Sequence, residues 1–266
     1  MSRVVDLPSS DHKVLSLIPA EYVAQRSGGF GLRRASVVDE IIYAATMGQL
    51  ADETLYLSVR LLDYMLCKLW CDGMDILPEY YTITGLACLL VASQIEDTYP
   101  DQLEVSDIVS ISNCQAEDIC RMQNGVLMSL WSDGVSTDVW RPPTVFLHQL
   151  CGSLPDMPLG SRYHAFAKYL CELVLFDVSV LHLPSNIIAA AAVYMTRKIW
   201  LHDKDSWPAP LSDVSGVSKG ELRRCGRVMA DILRSIKRSE CRTCFDAVVR
   251  KWEDADHHKW GTVVFE

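Results

Sequence analysis

No run of about 18 uninterrupted apolar residues occurs in this chain, so it carries no segment built to cross a membrane as a helix. Sustained alternation of apolar and polar residues is also missing, which removes the usual signature of half-buried strands. Glycine and proline number only 14 and 11 among 266 residues, and no segment is of low complexity. Nearly all of the chain is therefore expected to fold. Positive charge is in deficit: 25 Lys and Arg against 34 Asp and Glu leave a net −9. The basic footprint that bulk nucleic-acid binding requires is absent. The N-terminal MSRVVDLPSSDHK lacks the build of a secretory signal. P-loop, HExxH and GxGxxG patterns are missing too. No catalytic residue, cofactor or metal site is assigned.

Cysteine, by contrast, is plentiful. Ten cysteines without a secretory signal imply a reducing compartment. Their spacings are irregular. Cys241 and Cys244 form a CxxC without the second pair a zinc site needs. Cys67 and Cys71 lie one helical turn apart, and Cys88 sits in an apolar run; buried or idle thiols are the expectation. His257 and His258 with Asp254 and Asp256 read as a solvated tail rather than a metal cluster. Arg223, Arg224, Arg227, Arg234, Lys237, Arg238 and Arg242 read as a solvated helix face.

What the chain does have is apolar residues at helical spacing. A leader, residues 1–31, holds a helix capped at Ser10–Asp11 and running to about Gln25, then a flexible break at Gly28, Gly29 and Gly31. Leu32–Met47 carries Val37, Val38, Ile41, Ile42 and Ala45 on one face. Asp52–Cys71 opens on an acidic turn and places Leu55, Val59, Leu62, Leu66 and Leu69 on one face. Pro78–Gln94 is apolar nearly all round, with small residues Gly85, Ala87, Ala92 and Ser93. Such a helix is surrounded by others, and its polar end at Gln94–Glu96 must emerge at a surface. Short Val105–Ile111 and amphipathic Glu117–Trp131 follow.

A Gly, Ser, Thr and Pro-rich linker intervenes, and the order repeats. Thr144–Cys151, Ser161–Phe176, apolar Asn186–Leu201, short Pro210–Val214 and Ser218–Ile236 precede a last helix, about Cys241–Trp252. LACLLVAS and IIAAAAVY occupy equivalent third places roughly 100 residues apart. The fold class is all-α, with mostly local contacts.

Two five-helix bundles with alanine-rich third helices are the arrangement of the cyclin family, and particular residues carry the resemblance. RRASVVDEII at 33–42 resembles the opening of a first cyclin box, and ETLYLSVRLLDYML at 53–66 its second helix. LLVASQIEDTYP at 89–100 is similar to the LLASK(F/Y)EE-x-YP segment, and ICRMQNGVLMSL at 119–130 to the RMExxxL motif. ELVLFDVSVLHLPSNIIAAAAVYM at 172–195 and AVVRKWEDADHHKWGTVVF at 247–265 resemble the second box and tail of A- and B-type cyclins. The resemblance implies boxes at 32–133 and 144–236, a linker at 134–143, and a C-terminal helix and tail at 237–266.

It further implies a non-catalytic subunit, in the nucleus or cytoplasm, that binds a cyclin-dependent kinase and positions the kinase's C helix. Arg34 and Asp63 stand where the family has a buried structural ion pair. Gln94 and Gln123 stand where it grips the kinase with Lys and Glu, with Ile95 and Leu127 as neighbouring apolar contacts. Arg33, Ser36, Val37 and Glu40 occupy a degenerate substrate-docking patch, where Glu40 replaces a Trp and is expected to repel an apolar docking peptide. The sequence has no RxxL destruction signal, so either it is a trimmed piece of a longer protein or its turnover is controlled differently. A divergent cyclin-fold scaffold or adaptor that activates no kinase is the alternative.

Overall fold

Helices form where the apolar spacing permits. The computed structural model describes residues 20–25, 29–74, 76–135, 140–200, 206–237 and 245–254. The helices are α1 (Ala20–Gln25), α2 (Gly29–Met47), α3 (Asp52–Cys71), α4 (Tyr80–Glu96), α5 (Val105–Ile111) and α6 (Ala116–Ser132) in the first half. The second half has α7 (Pro143–Gly152), α8 (Arg162–Val174), a 3-10 turn (Val178–Val180), α9 (Ser185–Trp200), α10 (Ala209–Ser215) and α11 (Lys219–Lys237). α12 (Asp246–Asp254) closes the described chain. No strand occurs among the described residues.

Each half is built around its third long helix. α4 packs against α2, α3 and α6, and α9 packs against α7, α8 and α11. Leu86, Ala87, Cys88, Leu89, Leu90, Val91 and Ala92 are all buried, as expected of a helix enclosed by neighbours. Gly85 permits the closest approach: a Cβ there would lie 2.2 Å from Cγ1 of Val37 on α2. Ala189, Ala190, Ala191 and Ala192 play the same part in α9.

Three features depart from the sequence reading. Gly29 and Gly31 form no break, because α2 begins at Gly29 and takes both into its first turn. α3 buries more than one face: Tyr56, Leu57 and Leu61 are as enclosed as Leu55 and Leu62. On one side of α3, Tyr56 and Val59 line a cavity together with Val174, Leu181 and Ile188 of the second half, and Asp52 pairs with Lys168. Leu57 and Leu61 lie instead on the face of Tyr64 and Lys68, which bond to Ser129 and Asp133 of the first half. The 3-10 turn at Val178–Val180 has no counterpart in the sequence reading. The capped leader helix before residue 20, most of the linker and the Cys241–Cys244 pair lie outside the described residues.

α12 joins the halves. It packs on α2 and α8. Asp39 of α2 accepts the Ala247 N–H at 2.9 Å, while Glu172 of α8, 1% exposed, accepts from Lys251 Nζ at 2.7 Å and Trp252 Nε1 at 3.0 Å. Burial pushes the Asp39 carboxyl up to about 6, against the amides of Ala247 and Val248, and the nearby Asp246 and Glu40 add repulsion.

Gly85→Ala should lower stability by about 1–3 kcal/mol through overpacking, and Val37→Ala should recover part of that loss in the double variant. Thermal unfolding of the parent and three variants reads the coupling; strictly additive losses would refute the contact. The raised Asp39 carboxyl means that the folded state binds its proton more tightly than the unfolded chain. Its stability contribution is present below about pH 4 and is lost as pH rises through about 6. Asp39→Asn should therefore be more stable than the parent at pH 8, by about 1 kcal/mol once solvent screening is discounted. The gap should narrow toward pH 4, as read from urea midpoints.

Candidate functional site

The apolar run of α4 stops at Ser93, and the helix end emerges into solvent. Ser93 Oγ accepts the Leu103 N–H at 2.9 Å, and Gln102 Nε2 donates to the Asp97 carbonyl at 2.9 Å. These bonds fold the following segment back and leave Gln94, Ile95 and Glu96 exposed. α6 lies beside this end. Its buried stripe, Ile119, Val126 and Leu130, turns Gln123 and Leu127 toward the same surface.

There Gln123 Nε2 donates to Gln94 Oε1 at 3.0 Å. One donor and one acceptor are used, which leaves the Gln94 amide N–H₂ and the Gln123 amide oxygen for another molecule. Ile95 and Leu127 flank the pair with apolar surface. The structure thus brings all four kinase-face candidates together, as a neutral amide pair in an apolar setting.

Arg34 and Asp63 lie elsewhere, at the junction of the two halves. Nε and Nη2 of Arg34 donate to the two Asp63 carboxylate oxygens at 2.6 and 2.8 Å. The remaining Nη1 donates to the Leu175 carbonyl of the second box at 2.6 Å. Arg34 is wholly buried and Asp63 nearly so. Neighbouring charge and hydrogen bonds from Asp63 keep the guanidinium raised despite desolvation, the largest single influence and an opposing one.

The docking-patch residues share one side of α2, but they are not all exposed. Val37 is 2% exposed and packs under Gly85, so it belongs to the core. Its assignment to an exposed patch is corrected by the close approach of α4. Arg33 and Ser36 are exposed, with the Arg33 guanidinium 5.8 Å from the Tyr81 ring centre. Glu40 is half-buried at the edge of a groove of about 510 Å³, shared with Tyr43, Glu79, Ile83, Ile111 and Asp118. Burial raises its carboxyl, opposed by a hydrogen bond with Thr82.

Among the described residues, no group of three or more His, Cys, Asp or Glu could hold a metal ion. Eight cysteines are described and free; Cys71 and Cys120 are exposed, and burial pushes the thiols of Cys151 and Cys225 up to about 12. Arg223, Arg224, Arg227 and Arg234 are exposed on α11, and Arg234 pairs with Asp231 at 2.6 Å. Arg238, Arg242, His257 and His258 lie outside the described residues. Sequence reasoning passed over one hydrolase-like spacing, GxSxG at Gly216–Gly220. It is no nucleophile elbow. Ser218 precedes a helix rather than following a strand, and its Oγ and N–H both donate to Glu221, at 2.6 and 2.9 Å, as a helix start requires.

The N-terminal cyclin domain matches residues 11–133, and the C-terminal cyclin domain matches residues 143–264. This chain belongs to the cyclin family. It is 29% identical over 236 residues to the G2/mitotic-specific cyclin-B2 of Gallus gallus, covering 88% of this chain and 54% of that protein. It is 24% identical over 211 residues to Cyclin-A3-3 of Arabidopsis thaliana, covering 76% and 60%. This cyclin spans about half the length of the cyclin-B2 it matches. Among solved structures, a viral cyclin from Herpesvirus saimiri superposes with a TM-score of 0.65 at 20% identity, over 84% of this chain and 94% of that one. That likeness concerns the tandem-box fold.

Removing one partner of the Arg34–Asp63 pair strands a buried charge. Arg34→Met or Asp63→Leu alone should cost about 3–5 kcal/mol in urea unfolding, and the double variant should lose much less than the sum. Additive losses would show that the pair is not a unit.

Proposed function

We propose that this cyclin is the non-catalytic regulatory subunit of a cyclin-dependent Ser/Thr kinase in the nucleus or cytoplasm, acting in cell-cycle progression. Gln94, Ile95, Gln123 and Leu127 meet the kinase's C helix and position it. The supporting observation is the exposed, preformed Gln94–Gln123 pair, 3.0 Å apart and flanked by Ile95 and Leu127, at the places where the family grips its kinase. Similarity to cyclins whose names mark them as G2/mitotic-specific supports the cell-cycle setting.

The neutral amides set the strength of this grip. Hydrogen bonds to charged groups contribute about 1.5–3 kcal/mol each, and neutral ones about 0.5–1.5. The same neutrality favours a second reading, a cyclin-fold scaffold or adaptor that activates no kinase, because Gln94 and Gln123 are the positions such a protein would lose. Glu40 at the docking patch adds that apolar Arg-x-Leu peptides are recruited poorly.

The test is a pull-down from an extract of the protein's own source, followed by phosphate transfer to a generic Ser/Thr substrate. A bound kinase with raised activity supports the regulatory subunit; a bound, silent kinase points to a sequestering subunit; absence of any kinase refutes the regulatory subunit and supports the scaffold or adaptor. Gln94→Lys with Gln123→Glu should tighten the complex about tenfold. Unchanged affinity would show that this surface is not the interface.

A further inference from the structure

Beyond the four residues above, the outer face of α6 carries apolar surface that stays exposed among the described residues. Trp131 is 79% exposed, Met128 58% and Leu127 40%. Gln123, Leu127 and Trp131 follow one another at every fourth position, so they form one stripe about 12 Å long. Met128 borders it. A tryptophan left this open in the free chain keeps most of its burial energy for a partner, and tryptophan is among the residues most enriched at binding hot spots.

The support beneath this tryptophan is rigid. α6 ends immediately after it: Gly134 takes φ +61, its N–H bonds the Trp131 carbonyl at 3.2 Å, and the Val135 N–H bonds the Leu130 carbonyl at 3.0 Å. The Tyr64 hydroxyl of α3 donates to the Asp133 carboxylate at 2.5 Å, with the Ser129 carbonyl 3.0 Å away, and Lys68 Nζ holds the same carboxylate at 2.7 Å. That ion pair also balances the nearest formal charge at the end of the stripe. The backbone that carries Trp131 is thus fixed before any partner arrives, which reduces the ordering cost of docking.

We infer that Trp131 is the aromatic anchor of the kinase-docking face, inserted into an apolar pocket of the cyclin-dependent kinase. This rests on the reading under Proposed function. It goes beyond that reading in making an exposed tryptophan, rather than the amide pair, the main source of affinity. The occupant follows from continuity. Trp131 lies two turns beyond Gln123 on the same helix and the same face, so a kinase helix laid across Gln94 and Gln123 reaches it. The stripe is uncharged, and it fits the apolar side of an amphipathic helix better than a charged peptide.

The experiment measures binding of the full chain to a panel of purified cell-cycle cyclin-dependent kinases, by calorimetry, for the parent, Trp131→Ala, Trp131→Phe and Met47→Ala. Met47 is an exposed apolar residue at the end of α2 and serves as the control. Trp131→Ala should weaken the complex about 30-fold or more, the scale of a hot-spot residue. Trp131→Phe should recover most of the affinity, and Met47→Ala should leave it within twofold. Unfolding temperatures should be unchanged throughout, because Trp131 is not part of the core. A parent complex that Trp131→Ala leaves intact overturns the inference alone. Failure of the parent to bind any kinase overturns both it and the proposed function. A parent that self-associates through this face, and becomes monomeric on Trp131→Ala without loss of kinase affinity, assigns the stripe to a second copy and overturns the inference.

Discussion

The Arg34 guanidinium holds the two boxes in one arrangement. Two of its donors are fixed by Asp63 and a third by the Leu175 carbonyl, so one side chain of α2 sets both the pairing of α2 with α3 and the seat of the second box. A planar, bidentate group suits this geometry, and Lys could not reproduce it. The dependence runs outward from there. α2 carries Val37, against which Gly85 brings α4, and α4 carries Gln94 at its exposed end. A tilt of α2 would move the base on which the Gln94–Gln123 bond is built.

Much of this order was legible in the residues, and the illegible parts share a cause. Val38, Ile41 and Ile42 on α2, the enclosed run of α4 and the stripe of α6 are buried as their spacing indicates, because a helix's own period reports which face it buries. The amide pair was legible because flanking motifs fixed Gln94 and Gln123 in place. Spacing fails where burial comes from the other box. Tyr56 lies off the apolar face of α3, and the second half lines the cavity beside it. Asp39 and Glu172 carry no sequence signal of their role, yet they hold the two sides of α12. Val37 reads as patch or core equally well. A glycine 48 positions later settles it, and no local pattern connects the two.

The composition of the proposed docking face has a consistent energetic sense. A Lys and a Glu at 94 and 123 would be desolvated when a partner covers them, and the penalty is recovered only if every new hydrogen bond is well made. Two amides lose less water and gain less in return. A face that gives up charge must find affinity in apolar area, and the exposed set of Ile95, Leu127, Met128 and Trp131 supplies it around the pair. The amides then mainly fix register, since a misaligned partner would leave their remaining donor and acceptor unpaired.

Apolar docking of this kind depends on shape more than charge, so it places a premium on rigidity. The face stands on the ends of α4 and α6, and each end is tied down: α4 by Ser93 and Gln102 to the segment that follows it, α6 by Tyr64 and Lys68 of α3. α3 is in turn pressed between its own box and the second. The tie through Arg34 and the clasp of α12 by Asp39 and Glu172 therefore reach the docking face through α3 and α2, although none of those residues touches it. In this cyclin the second box acts as the backing that keeps α3, and with it the end of α6, in a single position.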